Sequence, residues 1–202
     1  MNYAKKLEGK KVFFAPLELD DARKYMSWYN DFEMGFFLGT QDRVITEVEE
    51  LEILKSNLKN GYNFVIVDKE TKTPVGNCSL FKVDWVNRSC EMGMSIGNKS
   101  FWNKGLGTDA IELLLAFAFQ IVNLNNVMLT VIEYNKRAIH IYEKAGFSLV
   151  GKRRELVSIA GSKYDLLVYD MLASEFKSTI ITETIEKYKN TDKDLNKISL
   201  ML

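Results

Sequence analysis

The stretch Glu91-Met-Gly-Met-Ser-Ile-Gly-Asn-Lys-Ser-Phe-Trp-Asn-Lys-Gly105-Leu-Gly107-Thr-Asp-Ala110 decides the fold. Its first part belongs to a segment, Arg88–Ile96, in which the even positions Cys90, Met92, Met94 and Ile96 are apolar. Ser89, Glu91, Gly93 and Ser95 form a small polar stripe between them. Alternation with period two marks a strand with two unlike faces. The second part, Phe101–Thr108, leads into Thr108–Val122, the strongest helix signal in the chain. Leu114, Leu115, Ala118, Phe119 and Val122 repeat at helical spacing there, widened by Leu113 and Phe117. So broad an apolar stripe predicts burial against a sheet. Between strand and helix, glycines let the backbone approach an anion, and free N–H groups at the helix start point towards it. Lys104 adds a positive charge. The design suits a pyrophosphate.

Two nucleotide-binding readings compete for this loop. Gly105-Leu-Gly107-Thr-Asp-Ala110 satisfies G-x-G-x-x-[GA], and Glu133 stands near the end of the following strand, where a ribose-binding acid belongs. That fingerprint sits immediately after a buried parallel strand, whereas Gly97–Lys104 intervenes here. No repeated βαβ units follow. A G-x-x-x-x-G-K-[ST] loop is absent.

Working outward, Val127–Ile132 reads as a β-branched strand. Asn135 caps a helix over Lys136–Ala145 with an inner stripe of Ala138, Ile141, Tyr142 and Ala145, and Gly146 stops it. Phe147–Val150 and Tyr164–Met171 form a last hairpin turning at Ala160–Lys163. Upstream, Lys11–Leu17 is a strand, and Asp20 or Asp21 caps a helix through Tyr29. Trp28–Gly39 reads as a helix end plus a loop. Thr46 with Glu49 makes a capping box for a helix to Lys59, with Val48, Leu51, Leu54 and Leu58 as its stripe. Asn63–Val67 and Val75–Val83 are strands. Beyond Ser174 the chain is polar, with one amphipathic helix carrying Ile181, Ile185 and Tyr188 and a flexible last ten residues.

The Glu91–Ala110 run resembles motif A of the GCN5-related N-acetyltransferase (GNAT) superfamily, in the branch of ribosomal-protein alanine and spermidine acetyltransferases. Asn135-x-Arg-Ala-x-x-x-Tyr142-x-Lys-Ala-Gly146-Phe147 resembles motif B, at a fitting spacing. The resemblance covers roughly residues 10–172. Trp102 stands where the family's loop often begins with Gln or Arg. The implied fold is an α/β acyltransferase: a mixed, mostly antiparallel sheet splayed near Ile96, with helices on both faces. The implied domain spans residues 1–173, with 174–202 as an extension.

The resemblance also implies roles. Backbone groups of Met94, Ser95 and Ile96 would pair with the pantetheine arm of acetyl-coenzyme A (acetyl-CoA). The N–H groups of the loop, Trp102, Asn103, Lys104, Gly105, Leu106, Gly107 and on into Thr108, would hold the pyrophosphate. Asn135 would touch the pantetheine, and Tyr142 would protonate the departing thiolate. By spacing alone Tyr142 is a core aromatic. Glu91, on the polar stripe, is a candidate general base and equally a solvent-facing glutamate. Glu33 and Asp31 are candidates for gripping a cationic acceptor. The implied reaction is direct transfer to a primary amine of a polyamine, amino sugar or protein N-terminus. Rival readings are a non-catalytic acetyl-CoA sensor and a nicotinamide enzyme.

The rest of the composition narrows the classes. Lys+Arg 27 balances Asp+Glu 27, so no overall basic excess recommends nucleic acid. The longest apolar run, Leu113–Phe119, falls far short of the roughly 20 residues of a membrane span. With no secretory signal, a cytoplasmic enzyme is expected. The single histidine, His140, reads as solvated, Lys152–Arg154 reads as a solvated face, and no metal site is expected. Cys78 and Cys90 fall on adjacent strands. A symmetric register sets Phe81 opposite Cys90 and Gly93 opposite Cys78, too far apart for a disulfide. The tail is a candidate surface for a homodimer.

Overall fold

The computed structural model describes residues 3–199, with side chains through Asn190. Eight strands form one sheet in the order β1-β2-β3-β4-β5-β6-β8-β7. They are β1 (Leu7–Glu8), β2 (Val12–Pro16), β3 (Tyr62–Asp68), β4 (Pro74–Asp84), β5 (Ser89–Ser95), β6 (Asn126–Ile132), β7 (Ser148–Ile159) and β8 (Ser162–Leu172). Every neighbouring pair is antiparallel except β5–β6, which is parallel. A parallel pair needs a crossover. Helix α4 (Leu106–Ala116), extended by a π turn over Phe117–Ile121, supplies it.

The alternation seen in the sequence sorts residues to two faces. On one, Val12, Phe14, Ile66, Val75, Leu80, Cys90 and Met92 pack against the broad stripe of α4 and against α5 (Lys136–Ala145). On the other, Phe13, Ala15, Val65 and Val67 pack against α1 (Ala22–Tyr29) and α3 (Glu47–Asn57). Asn135 caps α5 by accepting from the Ala138 N–H at 3.1 Å, and Gly146 ends it at φ 103°. Helix α6 (Ile180–Ser199) begins the extension on α4 of its own chain. Ser178 Oγ donates to Glu112, Gln120 Nε2 donates to the Ser178 carbonyl, and Ile181 is buried. The expected flexible end overlaps this helix as far as Ser199, and residues 200–202 lie outside the described residues.

Several expectations shift. Trp28–Gly39 is not a helix end plus loop: it holds a second helix, α2 (Phe32–Leu38), capped by the Asp31 side chain and closed by Gly39 at φ 73°. Asp21 caps nothing. It is buried, and it accepts from Tyr3 and Lys24. In α3, Thr46 does cap, but Val48 and Leu58 are exposed and Glu50 is buried beside Leu54. The β4–β5 register sets Cys78 opposite Met94 and Phe81 opposite Glu91, one residue away from the symmetric pairing. A bulge before the turn, with Lys82 at φ 50°, absorbs the difference. Both cysteines are free and buried.

Candidate active site

Strands β5 and β6 pair only at Ser89–Asn126, Cys90–Val127 and Glu91–Met128. Beyond Glu91 they part, so Met92–Ser95 loses its neighbour on that side. The gap opens into a cavity of about 360 Å³ lined by Met94, Ser95 and Ile96 from the strand, Asn103 and Gly105–Thr108 from the loop, and Asn135 and Tyr142 from the far side. Helix α2 contributes Met34, Phe37 and Leu38. Two side chains anchor α2 there: Tyr134 donates to the Phe36 carbonyl, and Asn135 Nδ2 donates to the Phe37 carbonyl at 3.1 Å.

The loop is built for an anion. None of the N–H groups from Asn103 to Thr108 donates within the described chain, and α4 has no side-chain cap. Gly105 holds φ 81° at the helix entry, a conformation that favours glycine. Lys11 Nζ donates to the Lys104 carbonyl at 2.7 Å, so its charge stands beside the loop. The loop is pinned from below by Asp109, which is buried and accepts the N–H groups of Lys10, Lys11 and Val12 at 3.0, 2.7 and 2.9 Å. Trp102 serves differently from its neighbours. Its backbone N–H goes to the Lys99 carbonyl and its Nε1 to the Ile96 carbonyl, at 3.1 and 2.7 Å. Arg137 lies over its ring, 3.9 Å from the centroid.

Tyr142 sits on the buried face of α5, its ring edge-on to Phe147 at 5.9 Å. Its hydroxyl has no hydrogen-bond partner among the described residues. Burial pushes the phenol up to about 12, so it stays protonated and available as a donor.

A second cavity, of about 290 Å³, lies beside the first and shares Leu38, Met94 and Ser95 with it. In it Ser95 Oγ donates to Asn77 Oδ1 at 2.8 Å, and Asn77 Nδ2 donates to the Tyr29 hydroxyl at 2.7 Å. Two adjoining chambers, one with an anion loop and one without, suit two substrates meeting at Met94–Ser95. The model of the acetyltransferase (GNAT) domain matches residues 11–148.

The chain belongs to the GNAT acetyltransferase family. It is similar to the N-acetyltransferase p20 of Bacillus licheniformis, itself uncharacterized, with 24% identity over 84% of this chain and 97% of that one. It is 29% identical to the spermidine N(1)-acetyltransferase of Escherichia coli K12 over 70% of this chain and 75% of that one. Among solved structures, the spermidine N-acetyltransferase of Vibrio cholerae, in complex with CoA and spermine, superposes with a TM-score of 0.75 at 24% identity, covering 82% and 97% of the two chains. The protein is an acetyl-CoA-dependent N-acetyltransferase. The open strand edge, the uncapped anion loop and the unpartnered Tyr142 hydroxyl fit that co-substrate.

The acetyltransferase keeps three predicted acids out of both cavities. Glu91 is held by Lys82 at 2.8 Å where β5 and β6 still pair. Asp31 caps α2, and with Glu33 it grips Lys99 at 2.7 and 2.6 Å. The Lys99 ammonium, with the Met34 N–H, holds Asp31 below the usual carboxylate range. Sequence reading missed Phe37, Leu38, Arg137, Tyr29, Asn77 and Lys11. Only the Asp31…Gly39 cap pair could have revealed α2. His140 is exposed, as expected, but at the rim of the first cavity. The described residues contain no cluster able to hold a metal, and none of their helices is long and apolar enough to cross a membrane.

Glu50 yields a stability prediction. It is 1% exposed and its Oε2 has no partner. Burial pushes the carboxyl from 4.5 up to about 7, against the pull of Arg43. Through that window the unfolded chain releases a proton that the folded enzyme keeps, so stability falls as pH rises, by about 3 kcal/mol in all. Glu50→Gln removes this slope. Urea unfolding should show the variant matching wild type at pH 4 and exceeding it at pH 8. Parallel pH dependences would refute the assignment.

Proposed function

We propose that the enzyme acetylates a primary amine by direct transfer, with both substrates bound at once. The observation that carries this is the meeting of the two cavities at Met94 and Ser95. Acetyl-CoA supplies an activated thioester carbonyl. The N–H groups from Asn103 to Thr108, with Lys11 and Lys104, hold its pyrophosphate, and the unpaired edge of Met92–Ser95 takes the pantetheine arm as an added strand. Asn135 shapes the wall by holding α5 and α2 together. The amine enters from the second cavity as the free base. As the N–C bond forms and the C–S bond breaks, Tyr142 donates its proton to sulfur. The amine's proton leaves to solvent, and Tyr142 regains one from there.

A covalent route through cysteine is disfavoured. Burial raises the Cys78 thiol well above its ordinary value, and burial with the nearby Glu91 charge pushes Cys90 up to about 12, so neither is a thiolate at neutral pH. Glu91 receives no role as base. Residues 1–173 are read as the catalytic domain and 174–202 as an extension that begins on α4.

The test is thiol release from acetyl-CoA across polyamines, amino sugars, aminoglycosides and peptides. At least one amine should raise the rate more than about tenfold over background, with intersecting initial-velocity lines. Parallel lines would favour an acyl-enzyme. Silence across the panel would remove the transfer reading. Calorimetry should show binding of acetyl-CoA and not of NADH.

A further inference from the structure

The second cavity is furnished with uncharged hydrogen-bonding groups. Thr40, Asn57, Asn63 and Ser79 line it alongside the Tyr29–Asn77–Ser95 row, and no described carboxylate does. The acids that could have served are engaged or sealed. Asp31 and Glu33 hold Lys99, Glu91 holds Lys82, and Glu50 is buried without lining the cavity.

Several of the lining groups are unused. Thr40 Oγ1 is buried and has no partner. Asn63 gives its Nδ2 to the Asn57 and Asn60 carbonyls at 2.7 and 2.8 Å, which leaves Oδ1 as an open acceptor. Tyr29 accepts from Asn77 and is also in hydrogen-bond contact with Ser95, so this row is already knitted together. Ser79 Oγ makes no hydrogen bond among the described residues. A buried hydroxyl left unpaired costs about 1–3 kcal/mol, a penalty lifted when a ligand atom bonds to it. An ammonium placed in the same chamber would shed water and touch no lining carboxylate, with Glu50 near Tyr29 but behind the wall.

We infer that the acceptor is a primary amine flanked by uncharged amide or hydroxyl groups, as in a peptide N-terminus or an amino sugar, and that polyamines are poor substrates. This rests on the amine-transfer reading above. It separates the enzyme from the spermidine acetyltransferases to which it is similar.

Steady-state kinetics decide it, with an alanyl or seryl tripeptide amide, glucosamine and spermidine as acceptors. The tripeptide or glucosamine should exceed spermidine in kcat/KM by at least about tenfold, and the two arms tell peptide from sugar. Thr40→Val and Ser79→Ala should each raise KM for the preferred acceptor by roughly tenfold per lost hydrogen bond, with acetyl-CoA affinity unchanged. Spermidine as the best acceptor, or an unmoved acceptor KM in both variants, would overturn the inference while leaving amine transfer intact. No turnover of any amine would overturn the transfer reading, and this inference with it.

Discussion

Tyr142→Phe is expected to lower kcat by about 100-fold while leaving the acetyl-CoA dissociation constant within about twofold of wild type. The phenyl ring keeps the packing against Phe147, so only the hydroxyl is lost. That hydroxyl has no partner among the described residues, and its removal breaks no structural bond among them. A phenol near 12 is a weaker acid than the roughly 8.5 of an ordinary thiol, which makes proton transfer uphill in water. The same apolar surroundings raise the leaving thiol too, because burial penalises any anion. The two groups are thereby brought back towards a match where the bond breaks. Single-turnover rates with the preferred amine, beside calorimetry for acetyl-CoA, make the measurement. Undiminished turnover would leave Tyr142 as a core aromatic.

Asp109→Ala should cost about 3 kcal/mol of stability and weaken acetyl-CoA binding together. One carboxyl group receives three successive N–H groups, those of Lys10 and Lys11 in the β1–β2 connection and of Val12 at the start of β2, and all three lose this acceptor in the variant, Val12 in a buried setting. For a chain of this size the loss corresponds to roughly 10 °C in Tm. Binding suffers because Asp109 lies in the first turn of α4 and fixes where the loop's N–H groups point. Asp109→Asn keeps one accepting oxygen and should fall between. A melting temperature within about 2 °C of wild type would show that the hairpin is held by its apolar contacts alone.

Some of this was legible in the sequence because single residues carry it. Asn135 and Gly146 bracket α5 to the residue, and the Ser89–Ser95 alternation separates a core face from a polar face. The loop was legible because glycines and a helix start leave few alternatives. Helix α2 was not. It is seven residues long, has Gly35 within it and carries aromatics, so no stripe emerges, and it is anchored by Tyr134 and Asn135 reaching its carbonyls from the turn between β6 and α5. The second cavity was illegible for a similar reason. Tyr29, Thr40, Asn63 and Asn77 come from separate elements and meet only through the sheet. Glu91, Asp31 and Glu33 line neither cavity, and a charge in a list of residues does not reveal its partner. Lys82 pairs with Glu91, and Lys99 with Asp31 and Glu33.

The short parallel seam between β5 and β6 makes the molecule resemble a pair of tweezers. One arm, β1–β5, supplies most of the second cavity. The other, β6–β8 with α5, carries the Tyr142 phenol. Three residue pairs and the α4 crossover join the arms at one end, and α2 bridges them near the other through Tyr134 and Asn135. The distance between the second cavity and the Tyr142 hydroxyl is therefore governed by how far apart the two arms stand on their shared core under α4. A substitution at the hinge, remote from either substrate, would act as a change in that spacing.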